Sequence, residues 1–335
     1  MSRIAVMGGG AWGTAIALSL AHRGGHAVML WAHSPEVAAD IRDSGENKAF
    51  LPGVPIPRQI AVTSDAEEAL RHAEIVVSVM PSHHVRASYE LFAPHLNTEQ
   101  LLVSATKGVE DGTYLRMSQV IADVLGRHHL NLRCGVLSGP SFAQEVAAGS
   151  PTAVTIASAD AALASLVQRE FGSGTLRLYT NDDVIGVELG GALKNVIAIA
   201  AGIVAGLGLG YNSTAALITR GVAEVTRLAV ACGGSRETLA GLSGIGDLVL
   251  TCTGALSRNR WVGIELGKGR QLQEILSDLH GKVAEGVRTT SAALGLAKQY
   301  GVEMPIAEQV EAILTAEKNP RQAMQDLMSR PGRDE

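Results

Sequence analysis

Close to its start, the chain runs an apolar stretch, Ile4–Met7, directly into Gly8-Gly9-Gly10-Ala11-Trp12-Gly13, a Gly-x-Gly-x-x-Gly spacing, and then into an Ala- and Leu-rich stretch over Gly13–His22. A strand, a tight turn and a helix satisfy that order. Each glycine has a task. Gly8 permits the turn, Gly10 lets backbone approach a pyrophosphate, and Gly13 lets the helix pack on the strand. The helix N-terminus then offers unpaired N–H groups and the positive end of its dipole to phosphate. A glycine-rich turn without a ligand is the bland alternative, and the flanking strand and helix weigh against it.

Short apolar runs alternate with helical patterns through the first half. Strands are expected at Ile4–Met7, Ala27–Trp31, Ile75–Val79, Leu101–Ser104, Gly135–Leu137 and Ala153–Ala157. Helices are expected at Gly13–His22, Val85–Phe92, Tyr114–Leu125 and Ala161–Phe171. This alternation implies parallel pairing with right-handed crossovers. The near-continuous apolar strands imply helices on both faces of the sheet. After Tyr179 the strand pattern fades. Asn181-Asp182-Asp183 offers caps for a long helix from Val184. Further helical patterns follow at Ser213–Cys232, Arg260–Lys268, Gln271–Leu279, Ser291–Tyr300 and Ile306–Leu314. The expected fold is an α/β N-terminal Rossmann domain with a mostly parallel sheet, residues 1–180, followed by an all-α C-terminal domain, residues 181–335. The polar tail Arg330–Glu335 is expected to fray.

With 335 residues, two domains are the natural division. The chain is 46% hydrophobic and 18% charged, which excludes a disordered chain. Aromatics are only 4%, so the core must use small aliphatic side chains. The net charge of −5 draws the chain to neither nucleic acid nor anionic membrane, so local cations must catch any anionic ligand. Cys134, Cys232 and Cys252 are far apart and show no CxxC spacing. That argues against a zinc site or disulfide framework, sets the metal expectation at none, and favours a reducing compartment. Two segments imitate membrane signals. Ile4–Ala21 follows Arg3 but carries the glycine loop. Val196–Tyr211 is shorter than the roughly 20 residues of a membrane span and follows Glu188 and Lys194 closely. A buried helix is expected there, with no membrane insertion and a cytoplasmic location.

The second strand ends Leu30-Trp31-Ala32-His33-Ser34. A carboxylate at this point would bond the ribose of NAD and repel the extra phosphate of NADP. None stands there, and Glu36 comes only after Pro35. His33 and Ser34 can donate to a phosphate, which favours NADP(H) or dual use with NAD(H). An ordinary, partly exposed histidine is the alternative for His33.

Four further segments carry chemistry. Thr106-Lys107-Gly108 follows a strand, on the edge where parallel sheets bind ligands. Ser138-Gly139-Pro140-Ser141-Phe142 follows another strand and opens a helix. Gly190 and Gly191 lie inside a helical pattern, one turn before Lys194. Interior helix glycines each cost about 1 kcal/mol relative to Ala, so a ligand or neighbouring backbone is expected to approach there. Gly244-Ile245-Gly246-Asp247 leads to Ser257-Arg258-Asn259-Arg260 at a helix start, where donors can form an anion pocket. Alone, Lys107 reads as solvated charge, the glycine pair as tight packing, and Ser257–Arg260 as a helix cap. Together they suit hydride transfer to a carbonyl, which needs a proton donor and cations for any phosphate. Lys194 is the expected donor, with desolvation and a second lysine easing proton release, and Asp247 the group that orients it.

The stretches GGGAWGTA, FLPGVPIP, PSHHVR, SATKG, LSGPSFAQE, PTAVTIAS, GVELGGALKNVIAIAAGI, AALITRG, GIGDLVLTCTGALSRNR and VAEGVRTT, with VEMPI at Val302–Ile306, span nearly the whole chain. In combination they resemble the bacterial NAD(P)-dependent glycerol-3-phosphate dehydrogenases. The resemblance implies reversible reduction of dihydroxyacetone phosphate to sn-glycerol 3-phosphate, a precursor of phospholipids. It implies Lys194 as proton donor and acceptor. Lys107, Gly139, Ser141, Asp247, Ser257, Arg258 and Asn259 would contact substrate. Ala11, Trp12, His33, Lys107, Ala143, Arg258, Val283 and Glu285 would contact cofactor. Ala11 stands where the family often has Ser, so a side-chain hydrogen bond is lost there while a backbone contact survives.

The expected partner is a small phosphorylated three-carbon substrate, not nucleic acid, and a homodimer remains open. The enzymatic rival is a β-hydroxyacid or sugar-acid dehydrogenase, whose substrates carry a carboxylate. A non-catalytic NAD(P)H sensor is the rival from another class, and it would have no need of Lys194 and Asp247 beside a glycine notch.

Overall fold

The computed structural model describes residues 2–279 and 281–332, so 333–335 of the tail lie outside the described residues. The strands are β1 Ser2–Met7, β2 His26–Trp31, β3 Glu46–Asn47, β4 Leu51–Pro55, β5 Ile60–Thr63, β6 Ile75–Ser78, β7 Leu101–Ser104, β8 Cys134–Ser138, β9 Thr152–Ala157 and β10 Leu176–Asn181. The first seven helices are α1 Ala11–Arg23, α2 Pro35–Ser44, α3 Ala66–Leu70, α4 Val85–Phe92, α5 Met117–Arg127, α6 Ala143–Ala147 and α7 Ala161–Phe171. The remainder are α8 Val184–Gly206, α9 Tyr211–Ala231, α10 Arg236–Leu239, α11 Asp247–Thr253, α12 Arg258–Gly267, α13 Leu272–Ser277, α14 Glu285–Tyr300, α15 Pro305–Leu314 and α16 Pro320–Met328.

Two compact units result. Unit 1 comprises Met1–Lys107 and Leu115–Glu188, and unit 2 comprises Gly108–Tyr114 and Leu189–Glu335. The expected boundary near residue 180 falls at the end of β10.

Unit 1 is a sheet in the order β10-β9-β8-β7-β6-β1-β2-β5. Strand periodicity of two explains why its strands are apolar throughout. Ile4 and Val6 of β1 join the core under α1, α6 and α7, while Ala5 and Met7 join the core under α3, α4 and α5. Val77 and Val76 of β6 divide the same way, as do Val103 and Leu102 of β7. Pairing is parallel except between β8 and β9. The sheet is thus mostly parallel, as read from the sequence, with β8 and β9 the antiparallel pair. The short chain between β8 and β9 holds only α6, which packs against α1 instead of leading a crossover back across the sheet. Strand β9 therefore returns antiparallel. The carboxyl ends of β1, β6, β7 and β8 still share one edge, where the glycine loop, Lys107 and Gly139 lie.

The helix expected from Tyr114 instead begins at Met117. Tyr114 has a left-handed φ of 58°, which ends helical geometry on its N-terminal side. The first turn of α8 is tied to α5 by Glu188, which accepts from the Ser118 backbone N–H (2.8 Å) and hydroxyl (2.7 Å) and pairs with Arg116.

Unit 2 is built from helices. Helix α8 is long and apolar enough to cross a bilayer, but 83% of its apolar window is buried inside the protein. The apolar run expected to continue to Tyr211 ends earlier. Tyr211 is 94% exposed and starts α9. Helices α8 and α12 cross at a seam of bare backbone, Gly202 and Gly206 against Gly263 and Gly267. A Cβ at Gly202 would lie 2.1 Å from the Arg260 carbonyl, so no larger residue fits this approach. Pro305 opens α15 without needing a hydrogen-bond partner. The next two N–H groups, of Ile306 and Ala307, donate to the Glu224 carboxylate of α9 at 3.0 and 2.9 Å.

Burial pushes the Glu224 carboxyl up to about 7, with Glu308 adding to the rise, against the pull of both N–H donors and Arg227. The folded protein therefore binds this proton more tightly than the unfolded chain. Stability attributable to Glu224 is greatest at low pH and falls as pH rises toward 7. In Glu224→Gln that dependence is absent. We expect the unfolding free energy of the native protein, relative to the variant, to fall between pH 5 and pH 8 in denaturant titrations. A difference that rises with pH would mean the carboxylate form is the stabilising one.

Candidate active site

The loop after β1 presents a cradle. A Cβ at Gly8 (φ 148°) would lie 1.8 Å from the Val79 carbonyl, and one at Gly13 would lie 1.9 Å from the Gly8 carbonyl. Strands and helix are thus as close as backbone permits. Gly10, by contrast, faces open space. It caps α1 with no side-chain hydrogen bond, leaving that N-terminus for an anion. The buried indole N–H of Trp12 has no partner among the described residues. A pyrophosphate fits these features. The loop is braced by Asn47, whose amide donates to the Gly9 carbonyl and the Thr14 hydroxyl, both at 2.8 Å. Sequence reading missed Asn47, because the β3–β4 hairpin that carries it is too short to show a period.

At the end of β2, His33 is exposed and meets Trp31 edge-on. Ser34 is not available in the way expected. Its hydroxyl accepts from the Val37 N–H at 3.2 Å to cap α2 and donates to Glu36 at 2.6 Å. That hydrogen bond holds the Glu36 carboxyl below its usual range. A carboxylate therefore does return to the strand end, by way of the first turn of α2.

Three other expected residues converge within unit 1. The Gly139 carbonyl accepts from Lys107 Nζ at 3.1 Å and from the Ser141 hydroxyl at 3.0 Å. Gly139 holds φ 137°, and a Cβ there would lie 3.0 Å from the Val154 Cα, so a side chain at this position is strained. Ala143 opens α6 and packs on the same core as α1.

In unit 2, Lys194 is 7% exposed and Asp247 only 1%. Lys194 Nζ donates to Asp247 Oδ1 at 2.5 Å and to the Thr251 hydroxyl at 2.9 Å. Thr251 also donates to the Asp247 carbonyl at 2.6 Å, so one turn of α11 presents both groups. Thr251 was missed by sequence reading, although its i+4 spacing from Asp247 was visible. The glycine notch is occupied by backbone. A Cβ at Gly190 would lie 2.5 Å from the Ser243 carbonyl. Ser243 lies in a π-helical turn, Leu242–Gly246, that leads directly into Asp247. Burial pushes the neighbouring Cys252 thiol up to about 12, which keeps it neutral.

Ser257 caps α12, accepting from the Arg260 N–H at 3.2 Å. Arg258 is exposed at the first position, and Asn259 is buried. The Asn259 amide donates to Asn195 at 2.9 Å and its oxygen accepts from the Gly286 N–H at 2.9 Å. Asn195, beside Lys194, also escaped sequence reading. Val283 and Glu285 stand just before and at the start of α14.

A mostly parallel sheet with a glycine cradle at its edge is the frame of a dinucleotide-binding enzyme, and the protein is a nicotinamide-dependent oxidoreductase. Family models described as NAD-dependent glycerol-3-phosphate dehydrogenase N-terminus and C-terminus match residues 3–164 and 183–325. A glycerol-3-phosphate dehydrogenase [NAD(P)+] of Acidobacterium capsulatum is 70% identical over the whole of both chains. That of Koribacter versatilis is 60% identical, over 100% of this chain and 99% of its own. The crystal structure of glycerol-3-phosphate dehydrogenase from Coxiella burnetii superposes with a TM-score of 0.93 at 39% identity, covering 98% of this chain and 99% of that one. The chain belongs to the NAD-dependent glycerol-3-phosphate dehydrogenase family.

Removing the lysine alone strands a buried carboxylate. Lys194→Met should cost about 3–5 kcal/mol in denaturant unfolding. Adding Asp247→Asn should recover most of that stability, yet leave turnover depressed by at least ~10²-fold, the scale of general acid catalysis. Stability and turnover recovering together would reduce the pair to a structural role.

Proposed function

We propose that the chain reversibly reduces dihydroxyacetone phosphate to sn-glycerol 3-phosphate with NADPH or NADH, supplying glycerophospholipid synthesis. The observation that carries this reading is the buried Lys194 held against Asp247 and Thr251. A bound nicotinamide supplies the hydride. Lys194 supplies the proton. As the substrate carbon is reduced, a proton leaves Nζ for the carbonyl oxygen, and in the reverse direction the amine takes it back. Asp247 is the counter-charge of the ammonium form, and Thr251 fixes the direction of Nζ.

Arg258, Ser257 and the second N–H of the Asn259 amide grip the phosphate at the start of α12. Lys107, Gly139 and Ser141, joined through one carbonyl, supply the remaining substrate contacts. Gly8, Gly10, Ala11, Trp12, Gly13, His33, Lys107, Ala143, Arg258, Val283 and Glu285 serve the cofactor. None of the three cysteines forms a disulfide, which suits a reducing compartment such as the cytoplasm.

The test is NADPH oxidation with dihydroxyacetone phosphate, dihydroxyacetone and tartronate semialdehyde. Charge-assisted hydrogen bonds contribute about 1.5–3 kcal/mol each, so kcat/KM for dihydroxyacetone should fall by at least ~10²-fold, with kcat falling as well as affinity. Equal turnover of both ketones would remove the phosphate pocket, and preference for the semialdehyde would favour a hydroxyacid dehydrogenase.

Cofactor choice is tested at the end of β2. His33→Asp should shift preference toward NADH by adding charge near the extra phosphate. Glu36→Gln should shift it toward NADPH. The ratio of kcat/KM for the two cofactors reads both effects, and an unchanged ratio in both variants would move selectivity elsewhere.

A further inference from the structure

Tyr114 has no part in this chemistry, yet two unfavourable local choices meet at it. Its backbone is left-handed, φ 58°, a conformation unfavourable for a bulky residue. Opposite it, Gly295 interrupts the interior of α14, where glycine is less favourable than Ala. Each explains the other. A Cβ at Gly295 would lie 2.2 Å from Cε1 and Cζ of Tyr114 and 2.6 Å from its hydroxyl, so the hydroxyl end of the ring occupies the space that a side chain on α14 would fill.

The turn before Tyr114 is closed on itself. The Tyr114 N–H donates to the Glu110 carbonyl at 3.0 Å, and the Thr113 hydroxyl donates to the Glu110 carboxylate at 2.5 Å. Val109 is buried. This segment, Gly108–Tyr114, packs as part of unit 2, although the chain on both sides of it belongs to unit 1. Lys107 is the residue from which it departs. The chain that leaves Lys107 is therefore anchored at Tyr114 within unit 2.

We propose that Tyr114, seated on Gly295, is a positioning residue for Lys107. The proposal rests on the reading of Lys107 as a substrate and cofactor contact. Small displacements of a contact group can cost up to about 10²-fold in rate. Tyr114→Ala should accordingly lower kcat/KM for dihydroxyacetone phosphate by about 10- to 100-fold, while Tyr114→Phe, which keeps the ring, stays near native.

The deciding measurement is a double-mutant cycle. In a Lys107→Met background, Tyr114→Ala should cause no further loss, because the group it positions is gone. Should Tyr114→Ala not fold, Gly295→Ala, whose methyl displaces the ring, carries the same cycle. Equal losses in both backgrounds, or no loss from Tyr114→Ala in the native background, would overturn the positioning role. Native turnover in Lys107→Met alone would instead overturn the assignment of Lys107, and the two failures are told apart by that single variant.

Discussion

Lys194 and Asp247 are almost fully removed from water, and each without the other would be a buried charge lacking compensation. Helices α8 and α11 must therefore stand at the separation that a 2.5 Å contact demands. Bare backbone makes this separation attainable. Gly190 admits the Ser243 carbonyl, and Gly244 lies against Leu239 where a Cβ would reach 1.9 Å from a carbonyl oxygen. The π-helical turn Leu242–Gly246 takes up the extra residue and delivers Asp247 at the right height on α8.

The same helix organises the rest of unit 2. Its later glycines seat α12 and so place Ser257, Arg258 and Asn259. Asn195, one residue beyond the lysine, bonds Asn259, and Asn259 bonds the Gly286 N–H at the start of α14. A chain of amides thus runs from the neighbour of Lys194 through the first turn of α12 to the helix that begins with Glu285. Unit 1 solves its own problem differently. Parallel strands end on one edge, so the glycine loop, Lys107 and Gly139 come together without any side chain having to reach far.

Much of this was legible before any coordinates. Helices α4 and α7 emerge with the bounds read from the sequence, because burial of one face leaves a regular imprint, and β7 does so because a strand buried on both faces reads as a continuous apolar run. The glycine loop and the glycine notch stood out for a related reason. Each breaks a local preference, and such breaks mark ligand or close backbone contact. What stayed hidden has no local imprint. Asn47 looks like any turn asparagine until its amide is seen to brace Gly9. Ser34 reads as a free donor until α2 claims it as a cap.

The sequence by itself determined the class of fold, the family and the glycine loop that opens the first helix, because these depend on residue type and short spacing. Only the tertiary structure decided what fills the notch at Gly190, which direction β9 runs, where the Glu36 carboxylate returns, and that Thr251 shares Lys194 with Asp247. The physical reason is separation along the chain. Lys194 and Asp247 are 53 residues apart and Tyr114 and Gly295 far more. Contacts at such distances are set by which faces must be buried together and by where a missing side chain lets backbones meet, and neither is written in any window of neighbouring residues.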